Sequence, residues 1–186
     1  MRYLILFLCA IGTIWAQPVH IKIASGYIGV QEKTGKNDGP VIETMLKRYG
    51  FSKGTPYCAV FVSWVLDSTE RQTGSRFTHP VYRGASSRSF ISKGTVAAKW
   101  VLSQPGYRLP PGSIVGWKRG STPFGHVGFV VQHASTNRFI TIEANTSPGE
   151  KGSQRDGNGI WQRTRSIQPF SEFRITDFVI PISVQK

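Results

Sequence analysis

The sequence predicts an α+β domain in which helices come first and antiparallel strands follow. Apolar residues recur at helical spacing between residues 40 and 66, whereas short strand-like segments follow Pro110-Pro111-Gly112. The chain has 186 residues, of which 39% are hydrophobic, so it can bury a sizeable core, and no long linker divides it. We therefore predict a single domain whose helices pack on a sheet of about five or six strands.

The first half of the chain contains the predicted helices. One begins at Pro40, which is favourable at the first helical position, and ends before Gly50. Another begins near Tyr57, because five apolar residues then share one helical face: Cys58, Phe61, Val62, Val65 and Leu66. Residues 68–94 are rich in Ser, Thr, Arg and Gly, and we expect them to be irregular before a short helix near 95–103.

The second half alternates between apolar runs and turn residues, which is typical of antiparallel strands. The predicted strands cover residues 113–117, 126–133, 138–145, 159–165 and 175–180.

Residues 1–16 have the pattern of a secretory signal peptide. Arg2 precedes an apolar run of 11 residues, and Ala16 provides the small residue for cleavage. The run is shorter than the roughly 20 residues that a membrane-spanning helix needs. We expect an exported protein, periplasmic or extracellular, whose domain comprises residues 17–186. A lipoprotein cysteine at Cys9 and a buried N-terminal element are the alternatives.

Cleavage after residue 16 would remove Cys9 and leave Cys58 as the one cysteine of the exported protein. Exported proteins usually pair their cysteines, so Cys58 is either a buried inert thiol, a link between chains, or a reactive group. Its predicted place in the first helical turn favours reactivity, because the helix dipole and free N–H groups stabilise a thiolate and a developing oxyanion. One cysteine cannot form a zinc cluster, and we predict no metal or cofactor.

A general base for this thiol is suggested by the strands. His126 begins one predicted strand, and Glu143 and Asn145 share a face of the next strand because they are two residues apart. A hairpin that turns at residues 135–136 would place Asn145 opposite His126 and Glu143 opposite Gly128. Because Gly128 has no side chain, it would leave room for the polar side chains beside it. We expect this polar face to pack against the helices and to look toward the start of the cysteine helix, as a nucleophile, base and orienting residue require.

Together these segments resemble the CHAP domains, which are cysteine- and histidine-dependent amidohydrolases and peptidases with a papain-like fold. The resemblance extends roughly from Ile28 to Ile180 and rests on residues 29–32, 34–40, 54–64, 110–115, 125–130 and 142–147. It implies a nucleophile, a base, an orienting carboxylate and a fourth polar group, which are Cys58, His126, Glu143 and Asn145, respectively.

The resemblance also implies a polar side chain near the oxyanion, ahead of the cysteine helix. Gln31 is the first candidate and Glu32 is the alternative. Tyr57, which stands where many CHAP domains have Trp, is a further candidate for contact with the oxyanion or the substrate.

The formal net charge of +13, or +12 without the predicted signal, indicates an anionic partner. No nucleic-acid-binding motif is present, so we predict peptidoglycan or another anionic cell-wall polymer. The predicted protein is a monomeric cysteine hydrolase of peptidoglycan amide bonds, either a muramoyl–alanine amidase or a stem-peptide or cross-bridge endopeptidase. A secreted, non-catalytic cell-wall or glycan-binding module with a buried Cys58, and a papain-like protein peptidase, are the alternatives.

Overall fold

The structure is a computed structural model that describes residues 17–77, 83–91, 96–135, 137–149, 153, 156–167 and 173–179, the last range by its backbone alone. The predicted signal peptide at residues 1–16 and Thr136 of the predicted turn lie outside the described residues. Within the described ranges, no helix combines the length and the apolar character needed to cross a membrane.

Helices occupy the first half of the described chain. They are α1 (Val19–Ser25), α2 (Pro40–Arg48), α3 (Cys58–Thr73), α4 (Ser87–Ile91) and α5 (Ala98–Ser103). The predicted starts at Pro40 and close to Tyr57 are confirmed. The prediction that residues 68–94 are irregular is wrong in part, because α3 extends to Thr73. It is followed by Gly74, whose φ of 67° is a left-handed conformation that glycine adopts without strain. Helix α4 also lies in that segment.

The strands are β1 (Val96–Ala97), which precedes α5, and then β2 (Ile114–Arg119), β3 (Gly125–Ser135), β4 (Arg138–Thr146), β5 (Gly159–Ser166) and β6 (Phe173–Val179). They form one antiparallel six-stranded sheet in the described part of the chain, in the order β1-β6-β2-β3-β4-β5. The predicted α+β class, with helices before an antiparallel sheet of about six strands, is confirmed.

The sheet separates two hydrophobic cores. One face packs against α3 and α4 through residues that include Val127, Phe129, Ile142 and Ala144, and α1 and α2 pack on α3 in the same core. The other face carries a smaller core with α5, which includes Trp117, Val130 and Phe139. The prediction that the polar face packs against the N-terminal helices is wrong. Because side chains alternate along a strand, His126 and Glu143 lie on this second face and not on the one that packs on α3.

Candidate active site

Cys58 lies at the first position of α3, as the sequence predicts. Gly54 adopts a φ of 92° in the turn before the helix, a conformation that favours glycine. The thiol is free and only 5% of the residue is exposed. Among the described residues no side chain caps this end of the helix, so the N–H groups of its first turn remain available to an anion.

His126 connects the thiol to the sheet. The imidazole is fully buried, and its Nε2 lies 2.9 Å from Glu143 Oε2. Nδ1 has no hydrogen-bond partner among the described residues, and the Cys58 thiol interacts with the ring. Burial alone would lower the pKa of His126, but the interactions with Cys58 and Glu143 outweigh burial and raise this pKa to about 9. The imidazole is therefore held as a cation.

Cys58 can reach this second face of the sheet because α3 starts beside the end of the sheet at which β3 begins and β4 ends. The Tyr57 hydroxyl interacts with the backbone of Asn145 at this end of β4. From this position the Cys58 thiol interacts with the His126 ring.

Glu143 accepts hydrogen bonds from three side chains and is fully buried. Besides His126, the Thr141 hydroxyl donates to Oε1 at 2.5 Å. Arg165 donates from Nε to Oε1 at 2.8 Å and from Nη2 to Oε2 at 2.5 Å. Burial alone would raise the pKa of Glu143, but Arg165 and His126 reverse this effect and hold it far below its usual range. Glu143 is therefore a carboxylate, and His126 Nε2 donates to it.

The predicted register of the β3–β4 hairpin is confirmed at the site. Gly128 pairs with Glu143, and a Cβ atom at residue 128 would lie 2.7 Å from Glu143 Cγ. As the sequence predicts, the glycine at residue 128 leaves space for the Glu143 carboxylate. Two register shifts occur between Val130 and Ser135, beyond the site.

Asn145 departs from the predicted strand geometry. Its φ is 59°, and the register of β4 against β5 shifts between Ala144 and Thr146. Its Nδ2 donates weakly to Asp156 at 3.4 Å, and its Oδ1 is buried without a hydrogen-bond partner among the described residues. A bulge at this residue rotates its side chain out of simple alternation. In the described structure, it bonds neither His126 nor Glu143.

The three remaining candidates lie beside the start of the cysteine helix and the end of β4. Gln31 is exposed and its backbone bridges to Gly159 at the start of β5. The Glu32 carboxylate accepts from the Tyr57 hydroxyl at 3.1 Å and from the Asn37 N–H at 2.9 Å. Burial, together with Glu32, raises the pKa of Tyr57. Glu32 and Tyr57 thus anchor the segment that precedes α3.

Arg165 and Trp117 were not identified from the sequence. The Arg165 guanidinium lies 5.8 Å from the centre of the Trp117 ring, and that ring lies 5.3 Å from the His126 ring. Strand pairing gives no signal for Arg165, because its Cα is opposite Phe139 while Trp161 is opposite Glu143. The Arg165 side chain must run along the sheet face to reach the carboxylate.

His126, Glu143 and Arg165 therefore form a hydrogen-bonded polar chain, and Cys58 interacts with its His126 end. A thiol beside an imidazole, whose second nitrogen is fixed by a carboxylate, can act as a nucleophile with its general base. As for metal binding, the described residues contain no group of three or more His, Cys, Asp or Glu side chains placed to hold an ion.

Comparison with known proteins identifies one family. The family model described as the CHAP domain matches residues 49–145, just over half of the chain. The match includes Cys58, His126, Glu143 and Asn145, and it confirms the resemblance seen in the sequence. Gln31, Glu32 and Arg165 lie outside the matched range. A search of curated proteins found no match to this chain.

Proposed function

The chain belongs to the CHAP family, and on this basis we propose that it is a cysteine hydrolase that cleaves amide bonds of peptidoglycan. CHAP domains are typically cysteine- and histidine-dependent amidohydrolases, and the family is associated with cell-wall substrates. One structural observation carries the proposal. His126 is buried between the Cys58 thiol and the Glu143 carboxylate, with its pKa raised to about 9.

Cys58 is the proposed nucleophile. Its sulfur attacks the carbonyl carbon of the amide, a C–S bond forms, and the carbonyl oxygen becomes an oxyanion. The backbone N–H of Cys58, in the uncapped first turn of α3, is one donor to that oxyanion.

His126 is the proposed acid and base. Its Nδ1 proton passes to the leaving nitrogen as the C–N bond breaks, which releases the amine and leaves a thioester. Water then attacks the thioester carbonyl and gives a proton to Nδ1. The C–S bond breaks, so that a carboxylic acid product leaves and the thiolate–imidazolium pair is restored.

Glu143 is the proposed orienting residue. Its bond to Nε2 turns Nδ1 toward Cys58 and stabilises the imidazolium form. Asn145, Gln31 and Tyr57 remain candidates for substrate or oxyanion contact, since all three lie close to this end of the sheet. Glu32 supports Tyr57 by its hydrogen bond.

The proposed substrate suits the charge of the chain. A formal charge of +13 favours a wall polymer that carries carboxylates and phosphates. We propose export through a signal peptide at residues 1–16 and a single catalytic domain at residues 17–186 that acts as a monomer.

If charge drives wall binding, affinity for purified peptidoglycan should fall steeply with salt, because screening acts over about 8 Å at physiological ionic strength. Binding that is independent of salt would contradict this role of the charge.

The deciding experiment compares Cys58→Ala with Val60→Ala on purified peptidoglycan. Both changes shorten a buried side chain at the start of α3, but only the first removes the nucleophile. We expect Cys58→Ala to lose at least about 10³-fold in hydrolysis. Val60→Ala should lose stability while each folded molecule keeps its activity.

Mass spectrometry of the new ends separates the two kinds of hydrolase. A muramoyl–alanine amidase would release peptides that begin with alanine, whereas an endopeptidase would create new ends within the stem or cross-bridge. Full hydrolysis by folded Cys58→Ala would refute the proposal. Binding of peptidoglycan without cleavage by either variant or the unchanged protein would favour the wall-binding alternative.

A further inference from the structure

We propose that Arg165 is a positioning residue of this site, which keeps the Glu143 carboxylate ionised and oriented toward His126. The inference deepens the proposed function, since it concerns the same thiol–imidazole pair. Its contacts do not depend on which substrate is cleaved, so it can be tested on the thiol itself.

The geometry of the contact is that of a fork. Arg165 donates from two nitrogens to the two oxygens of Glu143, at 2.8 and 2.5 Å. A planar guanidinium matches a carboxylate in this bidentate arrangement and fixes its plane, which a single charge on a flexible chain does not do. The orientation of Glu143 in turn determines the ring orientation of His126.

Burial makes the charge of Arg165 important. Glu143 is 0% exposed and Arg165 is 5% exposed, so water contributes little to either charge. An isolated carboxylate in such a place would take up a proton and become neutral. Arg165 is the first of the influences that lower the pKa of Glu143, ahead of His126. Without it, Glu143 would not remain an anion over the same pH range.

The surroundings of Glu143 support this assignment. Among the described residues, the charged or titratable groups in contact with it are His126 from β3 and Arg165 from β5, and Cys58 from α3 lies behind His126. Trp117 from β2 packs against both the guanidinium and the imidazole. Arg163, the neighbouring buried arginine of β5, donates instead to the Ser147 carbonyl at 2.6 Å.

The sign of the effect follows from charge. Loss of a buried cation makes proton binding more favourable at every group coupled to it, and the effect is largest at Glu143. Glu143 would then become neutral as pH falls, and His126 would lose its anionic partner at a pH where the unchanged protein keeps it. The acid limit of thiolate reactivity is the pH below which Cys58 is alkylated at less than half of its maximal rate. In Arg165→Gln this limit should therefore move upward by about one pH unit or more.

The test measures the rate of iodoacetamide addition to Cys58 as a function of pH, with peptide mass spectrometry to separate Cys58 from Cys9. Arg165→Gln is compared with Arg163→Gln, which also removes a buried guanidinium from β5 but leaves Glu143 bonded. We expect an upward shift of the acid limit in the first variant and none in the second. Arg165→Lys should shift the limit upward by less than Arg165→Gln, because it restores the charge but not the two-nitrogen contact with Glu143.

A double variant tests the route of the effect. If Arg165 acts through Glu143, then Arg165→Gln should shift the limit little further in a Glu143→Gln background. If Arg165→Gln does not fold, Arg165→Lys decides by itself. Loss of the fork should then slow alkylation near the acid limit, and an unchanged profile would overturn the proposal.

The outcomes separate this inference from the proposed function. An alkylation limit that shifts in Arg165→Gln supports the inference even if the protein does not hydrolyse peptidoglycan. An alkylation limit in Arg165→Gln that matches the unchanged protein overturns it, even if peptidoglycan is hydrolysed through Cys58. A fall in stability with no change in the pH profile would show a merely structural arginine and would also overturn it.

Discussion

Two buried histidines in this molecule differ in nearly every respect except their burial. His20 of α1 is 5% exposed, and its Nε2 lies 3.0 Å from the carbonyl oxygen of Gly112. His126 is fully buried and lies beside Glu143 and Cys58. Burial outweighs the carbonyl contact and lowers the pKa of His20, whereas the pKa of His126 is raised to about 9. Burial therefore does not decide the charge of a histidine here.

The partners explain the difference. A carbonyl oxygen is neutral and satisfies one N–H, and the rings of Phe77 and Phe129 complete the surroundings of His20. Such a site favours the uncharged imidazole. A carboxylate and a thiol around His126 favour the imidazolium strongly enough to reverse the effect of burial. The charge of the partner distinguishes a packed histidine from a candidate base.

A glycine makes room at each site. A Cβ atom at Gly112 would lie 2.3 Å from His20 Nε2, and one at Gly128 would lie 2.7 Å from Glu143 Cγ. In both regions, a glycine without a side chain allows a neighbouring polar side chain to approach the backbone closely. At Gly112 it allows a structural hydrogen bond, and at Gly128 it allows an ionised side chain to reach the imidazole.

The largest expected difference comes from removal of each imidazole. His126→Ala should lower peptidoglycan hydrolysis by about 10³-fold or more, because the acid and base are lost together. His20→Ala should instead destabilise the fold by about 2–4 kcal/mol, through a cavity and an unsatisfied carbonyl, with activity per folded molecule retained. Urea titrations measure the free energy of unfolding and the folded fraction of each variant. Turnover rates divided by that folded fraction measure the activity per folded molecule. Equal losses of activity in the two variants would remove the distinction.

Neutralisation of the partner of His126 is the next test. Glu143→Gln should lower hydrolysis by about 10²–10⁴-fold and destabilise the fold by about 3–5 kcal/mol, because Arg165 is left as a buried charge without its anion. The control is Glu43→Gln on α2, where the side chain is 45% exposed and an amide oxygen can still accept from the Gly39 N–H. Denaturant midpoints and initial rates are compared. Normal activity in folded Glu143→Gln would exclude it as the orienting residue.

Substitution of the two glycines should separate activity from stability. Gly128→Ala should displace Glu143 and lower activity by about tenfold or more, since small displacements of a catalytic group are costly. Gly112→Ala should mainly lower stability, because residue 112 also has a φ of 88° that favours glycine. Rates and thermal midpoints of both variants provide the comparison. The interpretation fails if Gly128→Ala retains full activity.

The smallest expected effect is a proton linkage at His20. Its pKa is lowered from 6.5 in the folded state, so the unfolded chain binds a proton first as the pH falls. The contribution of His20 to stability is therefore present above pH 6.5 and declines as the pH falls below it. Urea titrations across this range should show a flatter dependence in His20→Gln. An identical slope in that variant would contradict the linkage.

Patterns that are local in the chain predicted much of this molecule. Helical spacing and the turn before Cys58 placed the thiol at a helix start, and strand alternation with the pairing of Gly128 and Glu143 placed His126 and Glu143 on one face. These predictions hold because the periods of helices and strands depend on backbone geometry between near neighbours.

Other features of the site were decided only by the tertiary structure. The bulge at Asn145, the face of the sheet that carries the polar chain and the Arg165–Glu143 contact follow from how the strands twist and pack. Arg165 is opposite Phe139 in the strand pairing, so no register argument leads from it to Glu143. A long side chain can contact a group several residues away along a sheet face, and its direction depends on packing against Trp117 and on burial rather than on its position in the chain.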